Sequence, residues 1–230
     1  MKKSSILILI IICLVGCKKG SNETTITGEI KGLGTDTLYL YGMDELYDRI
    51  DTIYVENDKF SYTTSVDTIT SAYLLLKNRI EYPVFLDKGN KIKIKGDTIN
   101  LNFLTISGNI YNEEFTDFQK ALEDPADPSE KAGEETVDKR TTVEKANTAE
   151  EMAEEFILQH HSSYVSLYLL DKYFVQKETP DFSKIKKLVE VMTGVLQDKP
   201  YIERLNETIT QAEKSETVPW KSGTEKRFSN

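Results

Sequence analysis

Hydrophobic periodicity changes once along this 230-residue chain, and the change limits the folds open to it. From Thr24 to Gly108 apolar side chains tend to recur at every second position, the spacing of a strand with one buried face. Lys91-Ile92-Lys93-Ile94-Lys95 is the clearest case, with isoleucines on one side and lysines on the other. From Met152 to Ala212 the spacing becomes three and four, as on the buried stripe of a helix. Strands first and helices second is the α+β order.

Within the first half, Thr25-Ile26-Thr27-Gly28-Glu29-Ile30 alternates, and Gly32 to Asp36 turns it into a strand at Thr37–Tyr41. Ile50–Val55 and Phe60–Thr64 flank Glu56-Asn57-Asp58-Lys59, a hairpin-like turn of residues that tolerate left-handed backbone. Ala72–Lys77, Pro83–Leu86, Lys91–Lys95 and Leu101–Ser107 continue the series. Short strands with turns between them predict an antiparallel β-sandwich or barrel-like domain over residues 24–108.

A connecting helix is expected at 109–122, where Phe115, Phe118 and Leu122 share a face until Asp124-Pro125 stops it. From Glu123 to Glu155 there are 12 acidic and 4 basic side chains, and large apolar residues are nearly absent before Met152. Residues 123–150 therefore read as an acidic linker or a solvated helical insert. Residues 151–215 read as a helical bundle. Met152, Phe156 and Ile157 open it, and Tyr164–Phe174 follows behind a cap at Ser162 or Ser163. A third helix starts at Asp181 or Ser183 and carries Ile185, Leu188, Val189, Met192 and Leu196. Pro200–Ala212 closes the set through Ile202, Leu205 and Ile209.

The start of the chain bears on location. Lys2 and Lys3 precede the apolar run Ile6–Leu14, which is shorter than the ~20 residues a membrane span needs and has the pattern of a secretory signal. Leu14-Val15-Gly16-Cys17 resembles a bacterial lipobox. The resemblance implies cleavage between Gly16 and Cys17, leaving 1–16 as the signal peptide, and a lipid on the Cys17 sulfur. Acyl chains such as palmitate contribute ~0.8 kcal/mol per buried CH₂, so several of them make a firm membrane anchor. Residues 17–23 then form a polar tether. Lys18 at its start favours an outer membrane location facing the periplasm.

Cysteine and charge exclude several chemistries. The two cysteines are Cys13, removed with the signal, and Cys17, committed to lipid. The mature body is then expected to have no disulfide, thiolate metal site or cysteine nucleophile. The 29 basic side chains, less Lys2 and Lys3, leave 27 against 38 acidic, a net charge of −11 that argues against nucleic acid. His160 and His161 are adjacent and lack the spacing of a metal pair. Asp36, Asp44, Asp48, Asp51, Asp58 and Asp87 fall near turns without calcium-loop spacing. Tyr39, Tyr41, Tyr47, Tyr54, Tyr62 and Tyr73 fit a sugar-stacking face but also ordinary strand propensity, the preferred reading. No catalytic triad, phosphate loop, dinucleotide fingerprint or glycosidase pair stands out, so neither catalytic residue nor cofactor is expected.

One resemblance gathers these features. The lipobox, Ile26-Thr27-Gly28-Glu29-Ile30, Asn57-Asp58-Lys59-Phe60-Ser61-Tyr62 and Phe85-Leu86-Asp87-Lys88-Gly89-Asn90 occur in that order. Glu155-Phe156-Ile157 and Ser163–Leu170 follow them. The series resembles the N-terminal domain of unknown function of envelope lipoprotein thiol-disulfide oxidoreductases of the AhpC/TSA and TlpA/ResA type, over Thr25 to Ala212. The acidic stretch after Glu123 and His161-Ser162 depart from that pattern. Gly223–Ser229 resembles the lead-in to the thioredoxin-like domain of those proteins, and their Cys-x-x-Cys has no counterpart here. The resemblance implies a non-catalytic module whose partner is a thioredoxin-like domain or its protein substrate. Two alternatives stand beside it: a piece of a thiol-disulfide interchange enzyme, or a glycan-binding or adhesion lipoprotein.

Overall fold

The computed structural model describes residues 22–43, 46–76, 79–123 and 142–214. Among the described residues there are eight strands: β1 Glu23–Lys31, β2 Asp36–Gly42, β3 Ile50–Val55, β4 Lys59–Ser65, β5 Thr70–Leu75, β6 Glu81–Leu86, β7 Lys91–Asp97 and β8 Thr105–Ser107. They form two four-stranded sheets, ordered β4-β1-β7-β8 and β3-β2-β5-β6. The sandwich expected from the alternation is therefore present. One pairing corrects the antiparallel expectation: β1 and β7 run parallel, from Thr25 beside Lys91 to Lys31 beside Asp97. Both kinds of ladder give a side-chain period of two, so alternation carries no information about strand direction.

Ile26, Ile30, Ile92 and Ile94 of the first sheet meet Leu38, Leu40, Ile53 and Leu74 of the second, and all are fully buried. Each such side chain contributes roughly 1.5–3 kcal/mol by leaving water. The β3–β4 turn places Asn57 and Asp58 at φ of 50° and 69°, the left-handed conformation that Asn and Asp tolerate best after glycine. Gly28 interrupts the alternation of β1 for a packing reason. Phe60 stands opposite it, and a Cβ at Gly28 would lie 2.1 Å from that ring.

Five helices follow: α1 Ile110–Glu123, α2 Thr142–Gln159, α3 Tyr164–Leu170, α4 Phe182–Val191 and α5 Pro200–Lys214. Of the two residues offered for each cap, Ser163 caps α3 by accepting from the Val165 amide at 3.1 Å. Asp181 caps α4 by accepting from the Lys184 amide at 3.0 Å. Two boundaries differ from the sequence reading. Helix α2 begins at Thr142, ahead of the apolar stripe that opens at Met152 and inside the stretch read as linker or solvated helical insert. Helix α4 stops at Val191. Met192 is extended, and Leu196 reaches the core from a separate 3₁₀ turn, Gly194–Leu196. Gly194, at φ 64°, turns the chain there, so helical spacing of apolar residues overran the real helix.

The helices cover one half of the outer face of the second sheet. Strands β5 and β6 are consequently buried on nearly all sides, which is why their sequences read as apolar runs rather than alternations. An aromatic seam joins the layers. Tyr73 of β5 meets Tyr168 of α3 at 6.4 Å between ring centres, and Tyr168 meets Phe115 of α1 edge-on at 5.1 Å. Phe115 also contacts Phe85, whose neighbour Tyr111 packs edge-on against Tyr164. The buried Lys199 holds its ammonium 4.7 Å from the Tyr164 ring centre and within 3.5 Å of the Ile69 carbonyl. It tethers the start of α5 to the loop before β5.

Candidate functional site

Cys17 and Gly16, the expected lipidation and cleavage residues, lie outside the described residues, as do Asp44 and the Gly223–Ser229 segment. His160 stacks on Phe156 at 4.1 Å between ring centres, while His161 Nδ1 lies 2.9 Å from the Thr193 hydroxyl. The two rings have separate partners. Among the described residues no group of three or more His, Cys, Asp or Glu is arranged to hold a metal ion. Asp36, Asp58 and Asp87 accept from the amides of Thr37, Gly34 and Lys88, the turn chemistry expected of them.

Asp51 does something different. It is the hub of a polar cluster between the edges of β3 and β4. The Tyr47 hydroxyl donates to its carboxylate, and Arg49 Nε reaches Oδ2 at 3.1 Å. Arg49 also donates to the Thr64 hydroxyl and to the Ser65 carbonyl at 3.2 Å, with its guanidinium 4.8 Å from the Tyr47 ring centre. Burial by itself would raise the Asp51 carboxyl, but hydrogen bonds from Tyr47, Tyr62 and Arg49 hold it below the usual carboxylate range. Burial and the Asp51 contact push the Tyr47 phenol up, so it stays protonated as a donor. These groups face one another rather than an open cavity, and the arrangement locks the β2–β3 loop onto β4.

A second polar group sits where α3 widens into a π turn, Asp171–Val175. Such turns often mark functional positions. Asp171 accepts from the Tyr201 hydroxyl at 2.6 Å and from Gln176 Nε2 at 2.5 Å, yet burial still lifts its carboxyl above the usual range. Next to it, Lys172 reaches the surface with its ammonium 5.6 and 5.4 Å from the ring centres of Tyr168 and Tyr173. The rings and backbone crowded around that ammonium strip part of its hydration and lower its basicity. Through Asp171 and Tyr201 the pair joins α3 to α5. The sequence reading missed this pair, although two adjacent charges inside the apolar run Tyr164–Val175 were a visible signal.

The third feature is a surface. Leu38 and Leu40 point into the sandwich, so Tyr39 and Tyr41 point out. In the same outer face Tyr54 stands opposite Thr37, Thr52 opposite Tyr39, and Ile50 opposite Tyr41. Tyr39 is 41% exposed, Ile50 66% and Tyr54 74%, whereas Tyr41 leans on Tyr73 at 5.6 Å and donates to Glu81. Of the six tyrosines singled out in the sequence, Tyr47 is buried in the polar cluster, Tyr62 hydrogen-bonds Asp51, and Tyr73 lies in the helix–sheet seam. Only Tyr39 and Tyr54 of the six are presented to solvent as broad apolar surfaces.

A two-sheet β-domain with a helical layer on one half of one face is the class of structure these observations define. Residues 24–115, the sandwich and the first turns of α1, match the family described as a domain of unknown function, DUF4369. No curated protein and no solved structure matches the chain. Among the described residues no helix is long and apolar enough to cross a membrane.

Proposed function

We propose that this chain is a lipid-anchored cell-envelope protein, held through Cys17 at the outer membrane and facing the periplasm. Its body is a non-catalytic module that recognises or positions a thioredoxin-like domain or that domain's protein substrate. The observation that carries the recognition role is the uncovered half of the second sheet. There Tyr39, Tyr54 and Ile50 lie in solvent beside a seam in which equivalent aromatics bind helices. Tyrosine is enriched at protein interfaces because it supplies apolar area together with a polar tip. The buried polar groups support recognition over turnover, since Asp51 and Asp171 are each engaged by neighbouring donors that hold loops and helices together. The anchor rests on Leu14-Val15-Gly16-Cys17.

A photo-crosslinking amino acid at Tyr39 in cells tests recognition. The expected adduct is a thioredoxin-like protein or its substrate, lost when Tyr54 is changed to Lys. Absence of any Tyr54-dependent adduct overturns the proposal. Coding sequence past Asn230 that contains an in-frame Cys-x-x-Cys would put the partner on the same polypeptide and favour the enzyme-fragment reading. The glycan reading draws on the alternation of Tyr39 and Tyr54 with the Thr37 and Thr52 hydroxyls. Glycan-array binding abolished by Tyr54→Ala would substitute it for the protein partner. Lipid-analogue labelling that persists in Cys17→Ser would remove the anchor.

A further inference from the structure

Two sheets of four strands have four edges, formed by β4, β8, β3 and β6. An open edge offers unpaired backbone to any other strand, and proteins ordinarily cover it or make it polar. Three of these edges are protected. At β6, the buried Asn112 side chain accepts from the Phe85 amide at 3.0 Å and donates to the Phe85 carbonyl at 2.8 Å, and Pro83 removes a donor. Strand β8 is three residues long, and the Thr116 hydroxyl pairs both the amide and the carbonyl of Ile106 at 3.0 Å. Strand β4 turns Lys59, Ser61, Thr63 and Ser65 outward, a wholly polar row.

Strand β3 carries one inward-pointing charge, Asp51, which Arg49 balances, but among the described residues no helix, proline or side-chain cap covers its backbone. Among the described residues its backbone pairs only with β2, apart from the bridge from Glu56 to Lys59 at the turn. Its outward side chains are Ile50, Thr52 and Tyr54, all exposed, with no charge and no proline among them.

We propose that β3 is an association edge whose occupant is β3 of a second copy of this chain, paired antiparallel about a twofold axis at Thr52. The sequence of the strand is self-complementary in that register. Ile50 falls opposite Tyr54 of the second copy and Tyr54 opposite its Ile50, two β-branched–aromatic pairs of the kind that stabilise sheets. Thr52 faces its own copy, a hydroxyl pair. On the inner face Asp51 lies opposite Ile53 rather than another carboxylate, and Arg49 already balances its charge at 3.1 Å. Because the same surface serves both copies, the contact closes at two. The second sheet becomes one continuous sheet, β6-β5-β2-β3-β3-β2-β5-β6, and the two Tyr39–Tyr54 faces merge. This inference does not depend on the proposed partner.

The test uses the full chain with Thr52→Cys. Directly opposed Cβ atoms in such a ladder are about 4.5–5.5 Å apart, near disulfide reach. The parent chain, whose cysteines are Cys13 and Cys17, sets the background, and Thr63→Cys on β4 is the control. Mild oxidation is expected to give a disulfide-linked homodimer with Thr52→Cys well above both. The parent chain should sediment at twice its monomer mass and fall to monomer with Tyr54→Lys, whose exposed site leaves the circular dichroism spectrum unchanged. Crosslinking of Thr52→Cys no stronger than Thr63→Cys, or a parent chain that sediments as a monomer, overturns the proposal. A Thr52→Cys adduct to a different protein in cells, without homodimer, assigns the edge to a foreign strand and also overturns it.

Discussion

Where β6 and β8 end the two sheets, a helix closes the flank of the sandwich; where β3 and β4 end them, a cluster of side chains does. On the first flank α1 supplies Asn112 to the backbone of β6 and Thr116 to the backbone of β8. The Tyr82 hydroxyl adds bonds to the Leu104 carbonyl at 2.6 Å and the Leu104 amide at 3.0 Å. On the second flank Tyr47, Arg49, Asp51 and Thr64 satisfy mainly one another. Both flanks exclude water from the core. The first satisfies backbone of both its edge strands, whereas the second reaches the Ser65 carbonyl of β4 but no backbone of β3, and that difference leaves β3 available for pairing.

The comparison breaks most sharply at Phe115, which α1 inserts between Tyr82, Phe85 and Tyr168. Phe115→Ala is expected to cost about 3–5 kcal/mol in denaturant unfolding, because the vacated space lies where three layers meet. Asn112→Ala should cost roughly 2–3 kcal/mol, since it strands a buried amide and carbonyl of Phe85 together. Tyr47→Phe on the other flank should cost about 1 kcal/mol, because Asp51 keeps its Arg49 contact. A Tyr47→Phe loss as large as that of Asn112→Ala would show that the second flank is sealed as firmly as the first.

Acid titration sharpens the contrast between two aspartates. The Asp51 carboxyl is held below its unfolded value, so its stabilising contribution is present above the ordinary carboxylate range and is lost as pH falls through the depressed value. Asp171 is raised by burial, so the folded chain loses stability as pH climbs from the ordinary range through the elevated value. Asp51→Asn should therefore flatten a loss on acidification, and Asp171→Asn should flatten a loss on raising pH from strongly acidic conditions. Stability measured across pH for both variants distinguishes the two signs. The smallest effect belongs to the exposed face: in a chain diluted until it is monomeric, Tyr54→Ala is expected to change stability by no more than about 0.5 kcal/mol. A large loss there would mean that Tyr54 is already packed.

Much of the fold was legible because local chemistry and burial agree. The isoleucines of Lys91–Lys95 face inward as the alternation implied, and Asn57-Asp58 forms the turn. Asn112 was not legible, since a polar residue on a helix reads as solvated until the edge of β6 is placed against it. Asp51 was read as turn chemistry because Tyr47 and Arg49, though near it in the chain, meet it only where the β2–β3 loop folds onto β4, and Tyr62 comes from β4 itself. The tyrosines were divided by neighbours rather than by pattern: Tyr73 and Tyr54 have the same strand propensity, but a helix lies over one and not the other.

By itself the sequence determined the order of strands and helices, narrowed two helix caps to pairs that contain Ser163 and Asp181, and limited cysteine to Cys13 and Cys17, because these follow from spacing and residue type along the chain. The parallel pairing of β1 with β7, the sealing of one flank by α1 and the exposure of β3 were decided only in three dimensions. Each depends on which distant backbone a residue meets, and local periodicity cannot encode that meeting.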